Sequence, residues 1–164
     1  MRKGRASFLW LFLLLLLPAA PAGADDGPAF TFRRTFWGMS AVEVKEGEEG
    51  DPVGESDEML VYRGKVIDLE GDIVYRFAGG KLIAASYLFF LEPTQCTTTF
   101  YYLKELLSTK YGRPNLEGGW DEILVAGWET AATRVVLLYG GRQAGSLRLT
   151  YVARQAAAAF AEEI

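Results

Sequence analysis

Residues 72–91 read DIVYRFAGGKLIAASYLFFL, and their pattern organises the rest of the chain. Two runs of apolar, β-branched and aromatic residues flank Gly79-Gly80, the signal of a β-hairpin closed by a glycine turn. Moved along by 62 residues without a gap, the stretch falls on residues 134–153, RVVLLYGGRQAGSLRLTYVA. Ile73, Val74 and Phe77 then meet Val135, Val136 and Tyr139, while Gly79 meets Gly141 and Phe89 meets Tyr151. The same shift carries Gly50 and Pro52 onto Gly112 and Pro114. Recurrence over this length predicts one supersecondary unit used twice.

Parity makes a finer prediction. Ile73, Tyr75 and Phe77 are the bulky odd positions of one run, and Ala85, Tyr87 and Phe89 those of the other. Side chains alternate between the faces of a strand, so the two odd sets share a face only across an odd number of residues. The expectation is a three-residue turn with Gly80 left-handed, because a two-residue turn would set Tyr75 opposite Ala84.

The chain starts with a targeting pattern: basic Arg2, Lys3 and Arg5, an apolar run over 8–17, Pro18, and Ala22-Gly23-Ala24. This predicts a signal peptide over 1–24 with cleavage after Ala24. A spanning helix needs about 20 apolar residues, which disfavours an uncleaved anchor. No cysteine follows the site to take a lipid, so no stable membrane anchor is expected after cleavage. Residues 25–164 then form a single mature domain of ordinary size, periplasmic or secreted. Losing the leader takes 17 Lys+Arg to 14 against 21 Asp+Glu, a net charge of about −7. Such acidity disfavours nucleic acid and anionic lipid, which demand a basic surface. Cys96 is the only cysteine, so no internal disulfide forms, and it reads as a small buried hydrophobe.

Residues 25–29 read as a loose leader to the fold, and 30–35 as a short extended entry. Ser40 and Glu43 have capping-box spacing, with Met39 and Val44 at the staple positions, which starts a short first helix. The acidic run over 46–58 lacks the residue order of a calcium loop and reads as solvated loop. Residues 59–69 read as a strand with Gly64 at a bulge or kink, turned by Glu70-Gly71-Asp72 into the hairpin. Glu92-Pro93-Thr94-Gln95 reads as a linker. Phe100, Leu103, Leu106 and Leu107 then recur at helical spacing, and Gly112 and Pro114 end that second helix. Three strands over 120–129, 132–139 and 146–152 follow, with an alanine-rich tail over 154–164 as a final short helix.

The fold class expected is α+β: two tandem helix–β-meander units, about 36–91 and 98–153, in an antiparallel sheet with the helices packed on one face. Trp37-Gly38-Met39-Ser40 with Val42 and Val44, Gly50-x-Pro52, and Lys110-Tyr111-Gly112-x-Pro114 carry a resemblance to known families. One such unit resembles the small envelope domains of the outer-membrane-assembly lipoprotein E family, and two in tandem resemble the beta-lactamase-inhibitor-protein family. The resemblance covers most of 36–153 and implies the architecture. The lipobox cysteine of the first family and the paired cysteines of the second are missing here.

Histidine is absent, which removes Ser-His-Asp and Cys-His chemistry and every imidazole metal site. There is no P-loop, dinucleotide fingerprint or G-x-S-x-G. A carboxylate-only mechanism needs two facing carboxyls, and Asp121 and Glu122 read as neighbours on opposite faces of one strand. No catalytic residue, metal ligand or cofactor is therefore expected. The strand aromatics are the candidates for binding: Trp120 and Trp128 first, at even positions that share a face within one strand, then Tyr75 and Tyr87. The function expected is an exported, non-enzymatic protein that recognises an exported or envelope protein through an open sheet face. The alternative is a small-ligand or lipid-binding module with the same aromatics lining a pocket between sheet and helices.

Overall fold

The computed structural model describes residues 31–141 and 146–156. The expected leader over 1–24, residues 25–29 and the tail beyond Ala156 lie outside the described residues. The elements are α1 (Ala41–Gly47), β1 (Gly54–Ser56), β2 (Met59–Val66), β3 (Leu69–Ala78), β4 (Lys81–Phe89), α2 (Pro93–Tyr111), β5 (Leu116–Trp120), β6 (Ile123–Glu129), β7 (Thr133–Tyr139) and β8 (Leu147–Ala153). The strands make a single antiparallel sheet in the order β1-β2-β3-β4-β8-β7-β6-β5. The fold is α+β as expected, with a helix followed by four strands in each half of the chain. The final strands of the two halves, β4 and β8, pair at the centre of the sheet.

The sheet is built from cross-strand rows. Leu60, Tyr75, Ala85, Tyr151, Val135 and Trp128 stand side by side across six strands. The next row on the same face is Tyr62, Ile73, Tyr87, Leu149, Leu137 and Ala126. This face lies under the helices: Val44 of α1 and Cys96, Phe100, Leu103 and Leu107 of α2 join these rows in one buried core. A sheet with one face in a core and one in water needs this alternation of bulk along each strand.

Both helices start as their sequences dictate. The Ser40 hydroxyl accepts from the Glu43 amide, and the Glu43 carboxylate accepts from the Ser40 amide at 2.7 Å. Helix α2 begins at Pro93, where a missing N–H costs nothing, so most of the expected linker is its first turn. The buried stripe of α2 is Cys96, Phe100, Leu103 and Leu107, and Leu106 is exposed, because at 3.6 residues per turn it lies roughly a quarter turn off that line. Gly112 closes α2 with φ +83°, its amide donating to the Ser108 carbonyl at 2.9 Å.

The central hairpin corrects the expected turn and keeps the expected faces. The turn has two residues, Gly79 and Gly80, with φ +56° and +72°, a left-handed pair that matches strand twist. Ala78 pairs with Lys81 and Phe77 with Leu82, yet Arg76 pairs with Ala84. Ile83 is thus the extra residue of a β-bulge, and it restores Tyr75 to Ala85 and Ile73 to Tyr87. Parity demanded one odd residue, and the bulge supplies it inside the strand.

Other turns fall elsewhere than the sequence predicts. Strand β2 turns at Ile67-Asp68, where both residues have positive φ, and Glu70-Gly71-Asp72 lies inside β3. Gly71 is needed there because a Cβ would overlap the Leu88 carbonyl oxygen. Gly64 pairs with Gly71 in unbroken register and makes no bulge. The entry at residues 31–35 is a tight turn, not an extended segment, with Arg33 at φ +49° and the Thr35 amide donating to the Phe32 carbonyl at 2.9 Å.

Candidate functional site

The structure separates the four aromatics expected to form a binding surface. Residues 116–120 and 123–129 form a hairpin whose turn is Asp121-Glu122, with Asp121 at φ +53°, so Trp120 and Trp128 stand on different strands. Trp120 pairs with Ile123, an odd position of β6, whereas Trp128 is an even one, and the two tryptophans therefore point to opposite faces. Trp120 is 62% exposed on the face away from the helices, and Trp128 is 1% exposed in the core. The Trp128 indole N–H donates to the Gly112 carbonyl at 2.9 Å, tying β6 to the end of α2. The hairpin turn also means that Asp121 and Glu122 are not strand neighbours.

Tyr75 and Tyr87 lie on the helix-covered face as well. The ring of Phe32 packs between them and Tyr151, with centroids 5.5 Å from Tyr75, 4.7 Å from Tyr87 and 5.1 Å from Tyr151. The space where a ligand pocket was expected is filled by the chain's own entry segment. Beside this stack, the Tyr75 hydroxyl donates to the Glu48 carboxylate, which also accepts from Arg33 Nε at 2.8 Å. The Glu48 side chain is only 4% exposed, which corrects the reading of 46–58 as wholly solvated. Burial first, and then the bond to Glu48, push the Tyr75 hydroxyl well above the ordinary tyrosine range. Burial likewise raises Tyr87 and Tyr151. Composition showed seven carboxylates in this run, but nothing in their spacing marked Glu48 as the one facing Tyr75.

Cys96 is buried in α2, its thiol raised by burial, so it lacks the environment that activates a thiolate. Among the described residues, no three His, Cys, Asp or Glu side chains are grouped to hold a metal ion. None of the described helices is long and apolar enough to cross a membrane. A shallow depression of about 190 Å³ beside α2 is lined by Thr97, Tyr101, Asp121, Glu122, Leu124 and Tyr139.

Among the described residues, no helix lies on the other face of the sheet. One row across it runs Arg63, Asp72, Leu88, Arg148, Leu138, Val125 and Gly118. Its neighbour runs Val61, Val74, Ser86, Thr150, Val136, Gly127 and Leu116, with Ser86 Oγ donating to Thr150 Oγ1 at 3.2 Å in the middle. Beyond them, at the β5 edge, Ile123 and Trp120 continue the apolar side. Leu88, Val125 and Val136 are half-buried, and Leu116 and Leu138 are exposed. The carboxylates of this face are tied to its own cations: Asp72 to Arg63 at 3.1 Å, Glu70 to Lys65 at 3.8 Å and Glu129 to Arg134 at 2.9 Å. Compared with family models, with curated proteins and with solved structures, the chain finds no match.

Proposed function

We propose that this chain is an exported, non-enzymatic binding protein that recognises another exported or envelope protein through the face of the sheet turned away from the helices. The supporting observation is the apolar field of Leu88, Leu138, Val125, Ile123 and Trp120 on that face, with the exposed indole at its edge. Strand residues on a solvated face are usually polar, and a broad aromatic and aliphatic area is the composition of a recognition surface. The signal peptide, the tandem-unit reading and the resemblance to envelope-assembly and inhibitor families belong to the same proposal. The small-ligand alternative gains nothing from the interior, where Phe32 and the tyrosine rings occupy the space between sheet and helices.

The test uses the chain from Asp25 onward as bait in an envelope extract, with Trp120→Ala and Leu138→Asp as variants. A partner retained by the parent and lost by both variants, with unchanged melting temperatures, supports the reading. Equal recovery by all three places recognition elsewhere on the molecule.

A further inference from the structure

Arg148 stands within the apolar field of the open face, on the central strand β8. Leu88 of β4 is its partner on one side and Leu138 of β7 its partner on the other, with Val125 of β6 beyond. The open-face carboxylates already sit against Arg63, Lys65 and Arg134. Arg148 is exposed, so its guanidinium is hydrated in the uncomplexed protein. A protein that covers both Leu88 and Leu138 displaces much of that water, because Arg148 stands between them. A desolvated guanidinium opposite an apolar group is strongly disfavoured, whereas one opposite a carboxylate makes a strong bidentate contact.

Resting on the reading of this face as a recognition surface, we infer that its partner is a protein segment that sets an Asp or Glu carboxylate against Arg148, between apolar side chains that cover Leu88 and Leu138. Arg148 is then the specificity-determining residue of the interface: it rejects purely apolar partners and admits acidic ones. A second copy of this chain fits poorly, because the described carboxylates of its open-face strands are held by its own cations. An anionic membrane fits poorly too, since lipid attraction takes clusters of 4–8 cations and three of the neighbouring ones are paired.

The experiment selects peptides from a random displayed library on the immobilised chain and measures their affinity for the parent, Arg148→Met, Arg148→Lys and Leu138→Asp. Selected peptides are expected to carry Asp or Glu flanked by apolar residues. They should lose about tenfold or more in affinity to Arg148→Met and recover in part with Arg148→Lys. Exposed Arg148 leaves the melting temperature unchanged in both variants, which separates recognition from folding. Peptides without an acidic residue, insensitive to Arg148→Met but lost with Leu138→Asp, overturn the inference and leave the surface intact. No selected peptide, or peptides indifferent to both positions, overturns the surface as well. Binding to phosphatidylglycerol vesicles that disappears with Arg148→Met replaces the protein partner with a membrane. Aggregation of Arg148→Met with peptide affinity retained reduces Arg148 to a guard against self-association.

Discussion

At the scale of single residues, Glu48 carries the largest consequence for folding. Its carboxylate serves Arg33 and the Tyr75 hydroxyl together, joining the entry segment, the loop after α1 and strand β3. Glu48→Ala takes the acceptor from the buried Tyr75 hydroxyl and the carboxylate from Arg33, and is expected to cost about 2–4 kcal/mol in denaturant unfolding. Glu49→Ala, one residue on and exposed, should stay within about 0.5 kcal/mol. The tryptophans form a second contrast. Trp128→Ala removes a buried ring and its bond to Gly112, for a loss of about 3–5 kcal/mol, while Trp120→Ala leaves unfolding within about 0.5 kcal/mol of the parent. Similar losses for both would contradict the opposite facing of the two rings. Sequence gave them near-identical surroundings, glycine before and an acid after, and so could not tell them apart. What separates them is a two-residue turn at Asp121-Glu122 with no glycine or proline to announce it, since aspartate tolerates the left-handed region without a glycine.

At the scale of elements, the hairpin after Gly71 shows how pattern and position part company. Which side chains share a face was legible in the bulky odd positions, because burial enforces alternation. Where the odd residue sits was not legible, because a turn and a bulge satisfy the same parity. The first turn of the meander was misplaced for a related reason. Gly71 looks like a turn residue, but it serves a close approach of β3 to β4, and the turn falls on Ile67-Asp68, where the β-branched Ile67 is an unfavourable residue for positive φ. Gly71→Ala should therefore cost about 1–3 kcal/mol by forcing β3 and β4 apart. Gly64→Ala, whose Cβ would meet only the flexible end of Ile73 at 3.4 Å, should be near neutral. Thermal melts of the two variants decide this, and a harmless Gly71→Ala would return that glycine to the role of a turn former. Strand β5 escaped notice because Gly118-Gly119 dilutes its pattern, whereas the caps of both helices read directly from Ser40, Glu43 and Gly112.

At the scale of the whole molecule, one sheet has two unlike faces. The covered face holds Tyr75, Tyr87 and Tyr151, whose hydroxyls burial keeps protonated beyond their ordinary range. Each has a folded-state pKa above its unfolded value, so its contribution is fully present below about pH 10 and is lost as pH rises further. Above that point stability should fall by up to about 1.4 kcal/mol per pH unit for each tyrosine. Denaturant unfolding followed across alkaline pH checks this, and a flat profile past pH 10 would place the hydroxyls in water. The face without a described helix is the proposed recognition surface, and its existence followed from the sequence: one helix per meander unit covers one side of a shared sheet. Which of its residues stand side by side did not follow, because that depends on the register between β4 and β8, strands far apart in the chain. The most direct measurement places a photo-cross-linking residue at Leu138 on the bare face, and separately at Val42, which is exposed on α1. Both chains are then illuminated in an envelope extract. Recognition through the bare face predicts one discrete protein adduct from Leu138 and none from Val42; adducts from Val42 alone, or the same adducts from both, would contradict it.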